Sequence, residues 1–199
     1  DGGHGWKASQ GGGEYPYALA LCRDLILAGT YEEGIYRSAD AGASWQDSNE
    51  GLAAHLPPVA CFSDDFAQDR TMLLSSMEGT IVRTQDAGHS WEPLQRENDE
   101  FAPSLITSTG RGNSMTVFAA QETSLLLSQD SGEQWIGLFD TSESISAIAL
   151  SETYEQDATM LVGTSGGQVL TSSDGGKSWE ATVSFNGEAV LALAACTTG

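Results

Sequence analysis

Short apolar runs alternate with turn-forming residues along the whole chain, and no stretch sustains a helical period. Leu25-Ile26-Leu27-Ala28-Gly29 precedes a turn at 31–34 and then Ile35-Tyr36-Arg37-Ser38. The same phrase returns as Met72-Leu73-Leu74-Ser75, a turn at Met77-Glu78-Gly79, and Ile81-Val82-Arg83-Thr84. It returns again as Thr116-Val117-Phe118-Ala119, a turn near Gln121-Glu122, and Leu125-Leu126-Leu127-Ser128. The last copy is Met160-Leu161-Val162-Gly163, a turn at Ser165-Gly166-Gly167, and Val169-Leu170-Thr171-Ser172. Runs of this length bounded by turn residues predict strands, and their pairing across short turns predicts hairpins. Another apolar run precedes each hairpin, at 18–21, 59–62, 105–107 and 145–150, and one more stands at 190–193. The residues after a following tryptophan supply a fourth strand.

Those tryptophans fix the period. All five fall in one box, with Asp, then Gly two residues on, then Trp five residues on. The boxes are Asp1/Gly3/Trp6, Asp40/Gly42/Trp45, Asp86/Gly88/Trp91, Asp130/Gly132/Trp135 and Asp174/Gly176/Trp179. Successive Asp residues are 39, 46, 44 and 44 positions apart. Four strands in a repeat of about 44 residues predict an all-β propeller of four-stranded antiparallel blades. A β-solenoid is the alternative, but its repeats are shorter. The repeats run approximately 9–48, 55–94, 101–138 and 144–183, with partial blades at 1–8 and 186–199.

Each box is assigned a structural role. Its Asp accepts hydrogen bonds from backbone N–H groups of its own turn. Its Gly suits a positive φ. The hydroxyls before the Asp and before the Trp tie the strand ends together, and the ring packs between blades. Burying one such ring is worth roughly 1.5–3 kcal/mol or more. A second repeated segment, 63–72 and 151–160, is read as a loop staple in which Phe66 or Tyr154 folds back on the blade and an Asp caps the turn.

The ends do not make one blade between them. The first residues offer a box and a last strand, the last residues a first strand, and the two middle strands are missing. The expectation is a piece of a larger propeller of about six to eight blades, a five-unit ring with a poor seam, or open edges completed by another chain.

The motif S/T-x-D-x-G-x-S/T-W resembles the Asp-box, or BNR, repeat. It is similar to repeats of sialidase-like propellers, sortilin-type receptors, xyloglucan-cleaving glycosidases and photosystem II assembly-factor propellers. The resemblance covers essentially the whole chain and implies the fold, not the chemistry. A sialidase would carry an arginine triad, a Tyr–Glu nucleophile pair, an Asp acid/base and a Phe/Tyr-Arg-Ile-Pro motif. That tetrapeptide is absent here. The arginines are Arg23, Arg37, Arg70, Arg83, Arg96 and Arg111; Arg37 and Arg83 hold matching positions and are read as repeat-encoded surface residues. Nothing in the sequence marks three that converge. In character the chain is closer to the non-enzymatic members, and the resemblance implies an extracytoplasmic or secreted protein.

Charge narrows the partners. In 199 residues, 8 Lys and Arg stand against 28 Asp and Glu, a formal net charge of −20. That balance excludes a basic footprint for nucleic acid and opposes anionic lipid surfaces. No apolar run reaches the ~18 residues of a spanning helix. Glu32, Glu33, Glu78, Glu97, Asp99, Glu100 and Glu122 fall in loops expected on one face, where an acidic rim favours a cationic partner. His4, His55 and His89 are isolated, and no metal spacing or Ser/His/Asp arrangement occurs. Cys22, Cys61 and Cys196 are widely spaced and are read as buried thiols. The expected function is a non-catalytic protein-binding or assembly scaffold without catalytic residues, metal or cofactor. The alternative is a carbohydrate-active propeller, hydrolase or lectin, in which a hydrolase needs two carboxylates roughly 5–10 Å apart.

Overall fold

The computed structural model of the chain describes residues 11, 13–14, 16–30, 33–52, 59–75, 80–94, 103, 105–110 and 112–195. They form four antiparallel sheets of four strands, each in chain order. The first holds β1 (Pro16–Cys22), β2 (Leu25–Thr30), β3 (Ile35–Ser38) and β4 (Gln46–Asp47). The second holds β5 (Val59–Phe62), β6 (Met72–Ser75), β7 (Ile81–Thr84) and β8 (Glu92–Pro93). The third holds β9 (Leu105–Thr109), β10 (Thr116–Gln121), β11 (Ser124–Ser128) and β12 (Ile136–Asp140). The fourth holds β13 (Ile145–Leu150), β14 (Met160–Thr164), β15 (Gln168–Ser172) and β16 (Glu180–Ser184). The fold is a β-propeller, and these are its blades.

The core lies between blades, which explains why the second strands read as continuous apolar runs rather than alternating ones. All four residues of β6 are buried. Met72 and Leu74 pack with Leu25 and Leu27 of the first blade. Leu73, pointing the other way, packs with Met115 and Val117 of the third. β10 repeats the arrangement: Val117 and Ala119 face the second blade, and Phe118 and Ala120 face Met160 and Val162 of the fourth. A strand covered on both sides gains burial at every position. The fourth strands are short or solvated; every residue of β4, β8 and β16 is exposed. The two-residue outer strands β4 and β8 blunt edges that would otherwise pair with another chain.

Two details differ from the expectation. The staple segments contain single helical turns, α1 (Phe66–Asp69) and α2 (Tyr154–Asp157), each closed by a left-handed residue, Arg70 and Ala158. Four residues are too few to leave a periodic signal. Phe66 is buried and meets Phe62 edge-on at 5.1 Å; Tyr154 meets Phe118 at 5.5 Å. Asp69 accepts from the N–H groups of Thr71 and Gly112, both at 2.8 Å, and Asp157 from that of Thr159 at 2.8 Å. The second difference is residues 190–193, which form no strand. Val190 instead caps the fourth blade: its N–H donates to Thr164 O at 3.1 Å, and its carbonyl accepts from Ser146 Oγ at 2.7 Å. Both partners belong to the preceding sheet, so the segment spends its polar groups there rather than starting a sheet of its own.

Candidate functional site

Antiparallel order puts the first-to-second and third-to-fourth connections of every blade at one end, with the second-to-third connections at the other. The boxes therefore share an end with α1 and α2. In the box of the first blade, Ser38 Oγ donates to Asp40 Oδ1 at 2.8 Å and accepts from Gly42 N at 2.8 Å. Asp40 also accepts from Ser44 N at 2.8 Å and Ser44 Oγ at 2.6 Å. Thr84, Asp86, Gly88 and Ser90 repeat the set, as do Ser172, Asp174, Gly176 and Ser178. Gln134 stands where the others carry Ser, and only its backbone N–H reaches Asp130, at 2.9 Å. The serine bonds hold the Asp40 and Asp174 carboxyls at about 2. At Asp86 burial pushes upward, but the bonds from Ser90 and Thr84 outweigh it and the carboxyl again lies at about 2.

The backbone of each box holds a second left-handed residue beside the expected glycine. Gly42, Gly88, Gly132 and Gly176 have φ of 87°, 81°, 91° and 89°. The residue before each is left-handed too: Ala41, Ala87 and Ser131 at 56°, 62° and 59°, and Gly175 at 74°. This turns their N–H groups inward, to the carbonyls of Asp24, Arg70, Met115 and Ala158. Each box is thereby pinned to the connection between the first two strands of its own blade.

The tryptophans are not equivalent. Trp91 is 4% exposed, and its indole N–H donates to Ser48 O of the first blade at 2.8 Å. Trp135 and Trp179 donate instead to Gly132 O and Gly176 O of their own turns, both at 2.9 Å. Trp179 stacks on Phe139 of the third blade with centroids 4.9 Å apart. Trp45 is half-buried. Asp1, Gly3 and Trp6 lie outside the described residues, as do His4, His55 and Cys196.

Arg37 and Arg83 are not plain surface residues. Arg37 Nε donates to Ala87 O in the box of the next blade at 2.8 Å. Arg83 pairs with Glu92 of its own blade at 2.8 Å and with Glu133 in the next box at 3.0 Å, its side chain only 13% exposed. Each arginine ties one blade to the next. Their partners sit about one repeat away, so the local sequence carries no sign of them.

Of the predicted acidic rim, Glu33 and Glu122 are described; Glu32, Glu78, Glu97, Asp99 and Glu100 lie outside the described residues. Glu33, between β2 and β3, accepts from Glu14 N at 2.8 Å. Glu122, between β10 and β11, is exposed with φ of 51°. Topology sets both at the end opposite the boxes.

Two clefts open at the box end. One, of about 220 Å³, lies between the first and second blades and is lined by Arg23, Arg37 and Arg70 together with Cys22, Asp24 and Phe66. The structure thus singles out three arginines that the sequence did not. They come from a hairpin turn, a strand and a helix cap, a separation that hides them from spacing arguments. The other cleft, of about 280 Å³, gathers Asp64, Glu152, Glu155 and Tyr154. Asp64 there accepts from Gly110 N at 2.6 Å and Thr109 Oγ1 at 3.0 Å. Cys22 is half-buried at the arginine cleft, whereas Cys61 is buried and desolvation pushes its thiol up to about 12.

No protein-family model matches the chain, and no curated protein matches it. Its shape does match solved propellers. The structure of YCF48 bound to D1 peptide aligns with a TM-score of 0.65 at 20% identity, over 92% of this chain and 59% of that one. An ancestral GH74 enzyme aligns with a TM-score of 0.65 at 17% identity, over 85% of this chain and 24% of that one. A chain of the nidogen/laminin complex aligns with a TM-score of 0.66 at 13% identity, over 89% of this chain and 67% of that one. The chain therefore spans about a quarter of the GH74 enzyme and under two thirds of YCF48. At these identities the likeness is one of fold.

Proposed function

We propose that this chain is a non-catalytic protein-binding or assembly scaffold built on Asp-box blades and working outside the cytoplasm. The observation that carries the reading is the locking of blade to blade at the box end. Arg37 to Ala87, Trp91 to Ser48, and Arg83 to Glu133 each cross an inter-blade seam. Loops held on so rigid a frame bind with little ordering cost. The peptide-bound YCF48 propeller supports the reading by showing that a similar frame accepts a peptide. Chemical cross-linking of the full chain in extract from its source, read by mass spectrometry, tests it. A protein partner recovered reproducibly near 1:1 is expected; no partner, together with turnover of a β-glucan, would overturn it.

A second reading, a carbohydrate-active propeller, is favoured by the cleft that brings Asp64, Glu152 and Glu155 beside Tyr154. Glycoside hydrolysis needs two carboxyl groups flanking the bond that is cut. The GH74 likeness supports it at the level of fold. A glycan array and a xyloglucan hydrolysis assay decide it: hits abolished in Glu152→Gln would favour this reading, and blank results in both would remove it.

A further inference from the structure

The chain carries 8 basic side chains against 28 acidic ones, yet the cleft between the first and second blades is cationic. Arg23, Arg37 and Arg70 line it with a single carboxylate, that of Asp24. Among the described residues the arginine ion pairs are those of Arg83; none of these three is in one. Three guanidiniums gathered around one carboxylate, in a protein with a net charge of −20, call for a ligand.

The local turn and strand geometry does not demand a cation at Arg70 or Arg37. Arg70 closes α1 with φ of 58°, and Ala158 closes α2 with φ of 50°, making the same N–H bond to the first helical residue. An alanine suffices for that backbone, so the Arg70 guanidinium is surplus to the turn. The strand position of Arg37 is filled by Leu127 and Thr171 in the third and fourth blades. Arg37 is also oriented: its Nε is committed to Ala87 O at 2.8 Å, leaving the Nη donors of a half-buried side chain for the cleft. Arg23 has φ of 54° and is exposed, like Arg70.

We infer that this cleft is a binding site for an acidic segment of a protein partner, whose side-chain carboxylates are taken by Arg23, Arg37 and Arg70. The inference rests on the scaffold reading and names the partner chemistry at one place on it. Guanidinium forks match carboxylates two bonds at a time. Three arginines contributed by two adjacent blades to an open cleft, two exposed and one half-buried, suit carboxylates spaced along a chain better than one enclosed ion. The cleft volume of about 220 Å³ takes a side chain, not a folded domain.

The test uses the full chain and a fluorescent oligoglutamate peptide, read by anisotropy at low salt. The wild-type chain binds it. Arg23→Gln/Arg70→Gln weakens binding about tenfold or more, about 1.4 kcal/mol per factor of ten, while the remote Lys177→Gln leaves it unchanged. Circular dichroism confirms that the exposed substitutions preserve the fold, and the single Arg23→Gln serves if the pair does not. No peptide binding by the wild type, or equal binding by the double variant, overturns the inference. So does saturable binding of inorganic phosphate with oligoglutamate ignored, which would assign the cleft to a free oxyanion. A cross-linked partner retained unchanged by the double variant would sink the cleft and leave the scaffold standing. Oligoglutamate capture without any protein partner would do the reverse.

Discussion

Replacing Trp91 by alanine separates an inter-blade role from a merely local one. The ring is 4% exposed and sits in a cluster with Leu25 and Leu27 of the first blade and Met72, Leu74 and Val82 of its own. Truncating a buried aromatic of this kind costs about 3–5 kcal/mol. The substitution also leaves Ser48 O without its indole donor, about 1 kcal/mol more. Trp135, half-buried and bonded to its own turn, should cost roughly 1.5–3 kcal/mol, since less area returns to water. At about 2–4 °C per kcal/mol for a chain of this size, Trp91→Ala should lower Tm by about 10 °C or more, and Trp135→Ala by about half that. Trp91→Phe removes the indole donor and trims the ring while keeping an aromatic in the pocket, with an expected loss of about 1–2 kcal/mol. Thermal melts followed by near-ultraviolet circular dichroism provide the measurement. Equal losses for the two alanine variants would refute the assignment of Trp91 as the tie between the first two blades.

Three further outcomes follow from the boxes and seams. The carboxyls of Asp40, Asp86 and Asp174 lie at about 2 in the folded chain against an ordinary 3.8, so folding releases protons. Their contribution is complete above the ordinary value and is lost as pH falls through about 4 toward 2; urea midpoints should be flat from neutral pH to about 5 and then drop, less steeply in Asp86→Asn. A double-mutant cycle on Arg83→Met and Glu133→Gln should show coupling of about 0.5–1 kcal/mol in denaturant titrations, and zero coupling would remove that pair from the seam. Gly176→Ala forces a side chain into φ of 89°, with its Cβ 2.5 Å from Leu138 Cδ2, and should cost about 2 kcal/mol or more. Gly137→Ala, with open space around it in β12, should be neutral or stabilising by up to about 1 kcal/mol; a reversed order in melting experiments would contradict this account of the backbone.

The propeller was legible because its signals are local and repeated. Five tryptophans in register mark the period, and the doubly covered second strands announce themselves as unbroken apolar runs such as Met72-Leu73-Leu74. What escaped was either too short or too distant. α1 and α2 span four residues each, below any helical period. Ala41, Ala87 and Ser131 adopt left-handed backbone although neither alanine nor serine advertises it. Arg83 and Glu133 are fifty positions apart, and the three arginines of the cleft arrive from three unlike elements. One signal was present for Arg70: its counterpart in the other staple is Ala158, so the turn alone does not demand a cation.

Both clefts open at the box end, opposite the acidic loops of Glu33 and Glu122 from which a binding face was first expected. Their signs differ. Arg23, Arg37 and Arg70 make the seam between the first and second blades positive, while Asp64, Glu152 and Glu155 make the neighbouring cleft negative. Net charge sets only the long-range field, which falls off within about 10 Å at ordinary salt. Within that distance a partner meets a local pattern, and a pattern with two signs has a direction. A segment docked with its acidic stretch on the arginines finds complementary charge there; reversed, it sets carboxylates against Glu152 and Glu155. Like-charge contact of that kind disfavours the wrong register more than the right one gains, so it governs orientation more than affinity. The rigid seams matter for the same reason, because a charge pattern can orient a partner only if the blades that carry it hold their spacing.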